Sequence, residues 1–232
     1  MLIALHCIKS VLYWAMQEVK GLFQRDYILR MIEMMGDLAR KVAQLMEELE
    51  YLHHLDDASR LHCGLPLKAL EELSHESLLE MLGPEPRLYA SEILYLRAME
   101  PSIQWDAQDR MMLKSLRLLA SLTEESLLCE LRTPRLRELK SQVLSLLTAQ
   151  DLYQCALFFS AGDSYDEMED ALFQAVEQAN EEGQRSVLIE KGCALLAQAA
   201  EEATESALAY CRMTRNELKQ AAEELAAILT EE

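Results

Sequence analysis

Glycine and proline are scarce, seven and five residues in a chain of 232, and aromatic residues supply only 6% of it. An all-β domain needs turn residues at regular intervals and β-branched or aromatic side chains for its pleated faces, and this chain is poor in both. Leu, Ala, Glu and Met stand in their place. Such a composition favours helix nearly everywhere and predicts an all-α fold.

Positive charge is also short, with 22 Lys and Arg against 40 Asp and Glu and a net charge of −18. Phosphate backbones and anionic membranes both require a basic surface, so neither nucleic acid nor a membrane surface is an expected partner. About two thirds of the excess falls after Gly162, where Asp163, Asp166, Glu167, Glu169 and Asp170 begin an acidic section. Solubility explains that section most simply, and an acidic docking face is the sharper reading. Apolar runs of the length of a membrane span, about 20 residues, are missing too. The nearest, Met1 to Met16, is interrupted by His6, Lys9 and Ser10 and lacks a basic start and a cleavage site. It reads as a short helix whose Leu5, Ile8, Leu12 and Met16 pack on the protein, with an interfacial membrane helix as the alternative. Cys7, Cys63, Cys129, Cys155, Cys193 and Cys211 show no short paired spacing. They are expected to be buried and reduced, which points to the cytoplasm.

What is present is apolar material, half of the chain, enough to bury the core of one domain or of two closely packed ones. Its longest regular pattern runs from Asp26 to Leu52. Ile28, Met31, Met35, Leu38, Val42, Leu45, Leu49 and Leu52 recur at alternating spacings of three and four, the period of one helix face. Ile32, Ala39 and Met46 widen the stripe, as suits a helix buried among several others. Asp26 is placed to cap its start, and Gly36 within it suggests close approach by another helix. The expected organisation is an accessory helix over residues 1–22, or a start assigned too far upstream, followed by a single helical domain over 23–232.

Gly64 and Pro66 should end the long helix, Pro66 opens a short one through Leu73, and Ser74 begins another that stops at Gly83-Pro84. Pro86 leads into a helix to Glu100, interrupted by Pro101. Trp105 to Leu122 follows, with Met112, Leu116 and Leu119 on one side and Lys114 and Arg117 on the other. A helix from Thr123 carries Leu127, Leu128 and Leu131, and Thr133-Pro134 opens the next, to about Leu147. Thr148 then starts a helix at Leu152. From there a helix to Phe159, the turn Ser160-Ala-Gly-Asp-Ser and a helix from Tyr165 to Ala175 follow the pattern of a tetratricopeptide-type hairpin, with one residue more in the turn. A second hairpin is expected from Arg185 to Ala200 and Thr204 to Cys211, then a last helix from Asn216 to Leu229.

Phe23-Gln-Arg-Asp-Tyr-Ile-Leu-Arg-Met-Ile-Glu resembles the opening of a family of uncharacterised all-helical bacterial proteins, classed as a domain of unknown function. Leu65-Pro-Leu-Lys-Ala-Leu, Ser74-His-Glu-Ser-Leu-Leu and Gly162-Asp-Ser-Tyr-Asp-Glu-Met-Glu-Asp-Ala-Leu-Phe resemble its later segments. The likeness covers roughly Phe23 to the C-terminus and implies a helical fold, but it assigns no catalytic residue. The chain departs from the pattern at its start, where the mostly apolar residues 1–22 precede Phe23.

Glu50-x-x-His53 and Glu72-x-x-His75 have the spacing of half a di-iron carboxylate site, yet a cap at Ser74 would put Glu72 and His75 on different helices. His53, His54, His62 and Cys63 offer zinc ligands in composition, though solvated histidines at a helix end are the simpler reading. Asp163, Asp166, Glu169 and Asp170 resemble a calcium loop only in composition. Arg132, Arg135, Arg137 and Lys140 form a basic patch that, with Arg110, Lys114 and Arg117, could recognise phosphate or an acidic partner; pairing with the protein's own carboxylates is the plainer reading. No phosphate loop, dinucleotide fingerprint, nucleophile elbow or metalloprotease helix is present.

The resulting expectation is a non-enzymatic helical interaction or scaffold protein that binds a partner protein, with no cofactor or metal, as a monomer or weak homodimer. Tyr153, Phe158, Tyr165, Arg132, Arg135 and Arg137 are its candidate partner-binding residues. The alternative is an enzyme or small-ligand-binding helical protein whose site is assembled from residues distant in sequence. A deep closed pocket lined by buried carboxylates or histidines favours that alternative, and an open groove counts against it.

Overall fold

A computed structural model describes residues 27–40 and 48–228. Every regular element among them is helical, so the fold is all-α. No helix among the described residues is long and apolar enough to cross a membrane. The expected accessory helix and the 22/23 boundary lie outside these residues. By compactness the chain divides into two units, Met1–Met46 and Glu47–Glu232.

In the first unit the described part is a helix over 27–40 (α1), where Ile28, Met31 and Met35 are buried and Leu38 is half-buried on the predicted stripe. A methyl group on Gly36 would meet nothing within 4 Å among the described residues, so the close approach expected there is not found among them. Val42, Leu45 and Met46, on which one continuous helix to Leu52 depended, fall outside the described residues.

The second unit opens with α2 (Glu48–Cys63), α3 (Leu67–Glu72) and α4 (His75–Met81), followed by α5 (Pro84–Ala98) and α6 (Trp105–Ala120). Short helices 3 and 4 arise from local signals. Ser74 accepts a hydrogen bond from the Ser77 amide at 3.2 Å, which ends one helix and starts the next. Pro84 rather than Pro86 opens α5, where its missing N–H removes nothing the first turn would use. Helices α5 and α6 pack along their length, with Ser91 and Ser115 facing each other. Ser91 Oγ donates to the Ser115 carbonyl at 2.9 Å and Ser115 Oγ to the Ser91 carbonyl at 2.8 Å, so the two backbones meet without a large side chain between them.

The predicted break at Thr133-Pro134 does not occur: α7 runs unbroken over Ser126–Val143 with Pro134 inside it. Pro134 cannot bond the carbonyl four residues back, but Pro134 and Glu130 are both exposed, so water reaches that turn. Thr133 Oγ1 donates to the Cys129 carbonyl at 2.9 Å and satisfies the neighbouring acceptor. The turn after α8 (Ala149–Ala161) crosses here. A Cβ on Gly162 would stand 2.8 Å from backbone atoms of Cys129 and Glu130, so only glycine allows the approach. Thr148 and Asp151 form a capping box that starts α8.

Helices α8 and α9 (Tyr165–Gln178) make the predicted hairpin, and its extra turn residue is absorbed by Asp163 in the left-handed region at φ 55°. The expected second hairpin is built differently. α10 (Glu182–Glu202) packs chiefly on α12 (Arg215–Ala227), whereas α11 (Glu205–Cys211) is a short bridge. α12 brings Leu218, Ala221 and Leu225 as one buried stripe, while α11 buries Leu208 alone, so the apolar face of α10 is covered by the later helix.

Candidate functional site

The basic patch turns inward. Arg132 Nη2 and Arg135 Nη2 donate to the two oxygens of Glu92 at 2.8 and 2.9 Å, and only 5% of the Glu92 side chain is exposed. Arg135 also reaches Glu138 and lies over the Tyr95 ring at 3.7 Å, and Tyr95 donates its hydroxyl proton to Glu138. Burial holds the Arg132 guanidinium below its ordinary pKa; burial presses on Arg135 too, but Glu92 outweighs it and the value is raised. Arg137 is half exposed and pairs with Glu167. Pairing with the chain's own carboxylates therefore describes all three arginines, and Arg132 and Arg135 are not open surface for a partner.

Phe158 and Tyr165 are buried, Phe158 edge-on to Phe159 and Tyr165 with its hydroxyl on Asp163 at 2.7 Å, so the hairpin aromatics belong to the core and a partner would have to unpack them to touch them. Tyr153 is half-buried, with the Lys191 ammonium 5.6 Å from its ring centre. The other sequence candidates separate likewise. Ser74 does part Glu72 from His75. His62 stacks on Tyr89 with ring centres 4.0 Å apart, and the Cys63 thiol donates to the Pro86 carbonyl. No group of three or more His, Cys, Asp or Glu side chains able to hold a metal ion comes together among the described residues. Cys63, Cys129 and Cys155 are buried, and burial pushes each thiol up to about 12.

Two of the concavities among the described residues bear on binding. One, of about 640 Å³ and open to solvent, lies between the α3–α4 junction and one face of α6. Arg110, Lys114 and Arg117 follow at spacings of four and three on α6 and all line it, with Arg97 of α5 and His75 of α4. Lys114 Nζ donates to the carbonyls of Leu70 and Glu71 at 2.9 and 2.8 Å, closing the C-terminal end of α3. Arg117 grips Asp151 with two nitrogens at 2.7 and 2.9 Å, and its third, Nη1, stands 3.3 Å from His75 Nδ1. Burial and then Arg117 hold the His75 pKa below its ordinary value, and the same Nδ1 lies 3.2 Å from Glu76 Oε2. Arg97 meets Glu71 at 2.7 Å and also Glu100. Arg110 and Lys114 make no ion pair among the described residues.

The other concavity, about 390 Å³, is an open groove bounded by α7, the α8–α9 turn and α11. Leu131, Pro134 and Arg137 line it from α7, Asp163 from the turn, and Thr204 and Tyr210 from the last wall. Tyr210 is 85% exposed and Leu131 38%. Sequence reasoning placed Leu131 on the apolar side of its helix with Leu127 and Leu128 and did not single out Tyr210, since an isolated aromatic on a polar helix face carries no periodic signal. Comparison of the chain with protein-family models, curated proteins and solved structures gives no match.

Proposed function

We propose that the chain is a non-enzymatic helical interaction protein that holds a segment of another protein in the groove between α7, the α8–α9 turn and α11. The observation that carries this reading is Tyr210, a large aromatic side chain left in solvent on a short helix that lines an open groove, with exposed Leu131 on another wall. Aromatic anchors of this kind supply most of the binding energy when a partner covers them. Support also comes from the α8–α9 hairpin, whose turn lines the groove through Gly162, Asp163 and Ser164. The segment that fits carries basic residues beside an apolar anchor, because Glu130 and Asp163 line the groove and the chain after Gly162 holds about two thirds of the excess negative charge. Five free cysteines among the described residues fit a reducing cytoplasm.

The test replaces Tyr210 by the photo-crosslinking residue benzoylphenylalanine in cells that produce the full chain, then maps adducts by mass spectrometry. The expected result is an adduct to a protein peptide with Lys or Arg next to an apolar residue, lost when Leu131→Asp is added. Adducts that are absent, or that survive Leu131→Asp unchanged, overturn the reading.

A further inference from the structure

The α3–α4–α6 cleft points to a second, independent activity, which goes beyond the interaction reading and does not rest on it. Arg110 and Lys114 lie one turn apart on the same face of α6, line the same cleft, and make no ion pair among the described residues. Like charges at that spacing repel, and Glu71, the carboxylate that acts on Lys114 from a distance, is itself held by Arg97. Lys114 uses two of its three N–H donors on the α3 carbonyls and keeps one, while the Arg110 fork makes no hydrogen bond among the described residues. The rest of the α6 wall and its approach is apolar, with Ile103, Ala107, Met111 and Leu113.

We infer that this cleft binds the carboxylate of a small organic acid between Arg110 and Lys114, with the acid's apolar body against Ile103, Met111 and Leu113. Its volume, about 640 Å³, lies within the range of small-molecule sites. The charge of the ligand follows from the wall. Glu71, Glu72 and Glu76 also line the cleft and weaken the net pull of the two cations; that pull grows only in proportion to the ligand's charge, whereas the cost of stripping its water grows faster, so a monoanion fits better than a phosphate dianion. Arg97 and Arg117 are held by Glu71, Glu100 and Asp151 and shape the site rather than bind in it. Binding is reversible and involves no bond making.

The probes are hexanoate, hexanamide and inorganic phosphate, titrated into the full chain and followed by saturation-transfer NMR and calorimetry. Hexanoate is expected to bind, hexanamide and phosphate to bind at least about tenfold more weakly, and Arg110→Glu to weaken hexanoate by a similar factor because it sets a like charge beside the ligand. Arg110 is exposed, so this variant should fold as the parent does, which its far-UV circular dichroism and melting temperature check. Lys114→Met keeps the stem and removes the charge, and should also weaken hexanoate. No hexanoate binding, equal binding of hexanamide, equal or tighter binding of phosphate, or unchanged affinity in Arg110→Glu would each overturn the inference.

Discussion

Glu92 is the residue whose loss should be felt most. Its carboxylate, 5% exposed, joins α5 to α7 by accepting from Arg132 and Arg135, whose side chains are 14% and 21% exposed. Burying three charged groups carries a desolvation penalty of several kcal/mol for each ion, which the mutual attraction and the hydrogen bonds offset only while every member is present. Removing one partner from such a group costs about 3–5 kcal/mol, since the remaining charges stay buried with less to offset their desolvation. Arg135 retains Glu138, so the lower end, about 3 kcal/mol, is expected for Glu92→Gln. A domain is stable by only about 5–15 kcal/mol, so the change is a large fraction of the whole. Urea unfolding followed by circular dichroism reads it as a lowered midpoint at unchanged slope. The triple replacement Glu92→Leu, Arg132→Met, Arg135→Leu should by the same reasoning lie within about 1 kcal/mol of the parent, or above it. Should Glu92→Gln unfold within about 1 kcal/mol of the parent, the description of this cluster as an interdependent buried network is wrong.

Two glycines separate backbone from side-chain crowding. Gly162→Ala puts a methyl 2.8 Å from the Cys129–Glu130 backbone, which cannot step aside, and about 2–3 kcal/mol of destabilisation is expected; Gly192→Ala meets side-chain tips alone, Leu225 at 2.6 Å and Leu172 at 3.5 Å, and should cost about 1 kcal/mol or less, so equal losses in a urea titration would contradict this reading. Asp151 gives the pH dependence. Burial pushes its carboxyl up, but hydrogen bonds from Arg117 and Thr148 outweigh it and hold the folded value below the usual carboxylate range. Its contribution is therefore fully present above the ordinary pKa of an aspartate and lost as pH falls through the depressed folded value. Asp151→Asn should be less stable than the parent near neutrality and converge with it in acid, and unfolding profiles that stay parallel down to about pH 2 would refute the assignment.

Local signals were legible. Ser74 and Thr148 were readable as helix starts because a cap is decided by the two or three residues that follow it, and the α1 stripe was readable from its period. Pro134 misled because a proline's effect depends on whether water reaches the carbonyl it frees, which the exposed turn of α7 decides. Phe158 and Tyr165 were read as partner contacts because a hairpin has two faces, and only the packing of α8 and α9 against their neighbours shows which one is inside.

The cations show most clearly where sequence reading stops. Arg132 and Arg135 meet Glu92 forty and more residues away, and Arg117 meets Asp151 at a separation of 34, pairings that no period or spacing encodes. A patch drawn from neighbouring arginines in the sequence therefore mixed two kinds of residue. Arg97, Arg117, Arg132, Arg135 and Arg137 each meet a carboxylate, as cations outnumbered by 40 to 22 should. Arg87, Lys140, Lys191 and Lys219 also form no ion pair among the described residues, so what sets Arg110 and Lys114 apart is that they share one cleft. Arg110 and Lys114 are readable from the sequence as neighbours on one helix face, but that they line one cleft and form no ion pair among the described residues becomes visible only when α3, α4 and α6 are assembled around them.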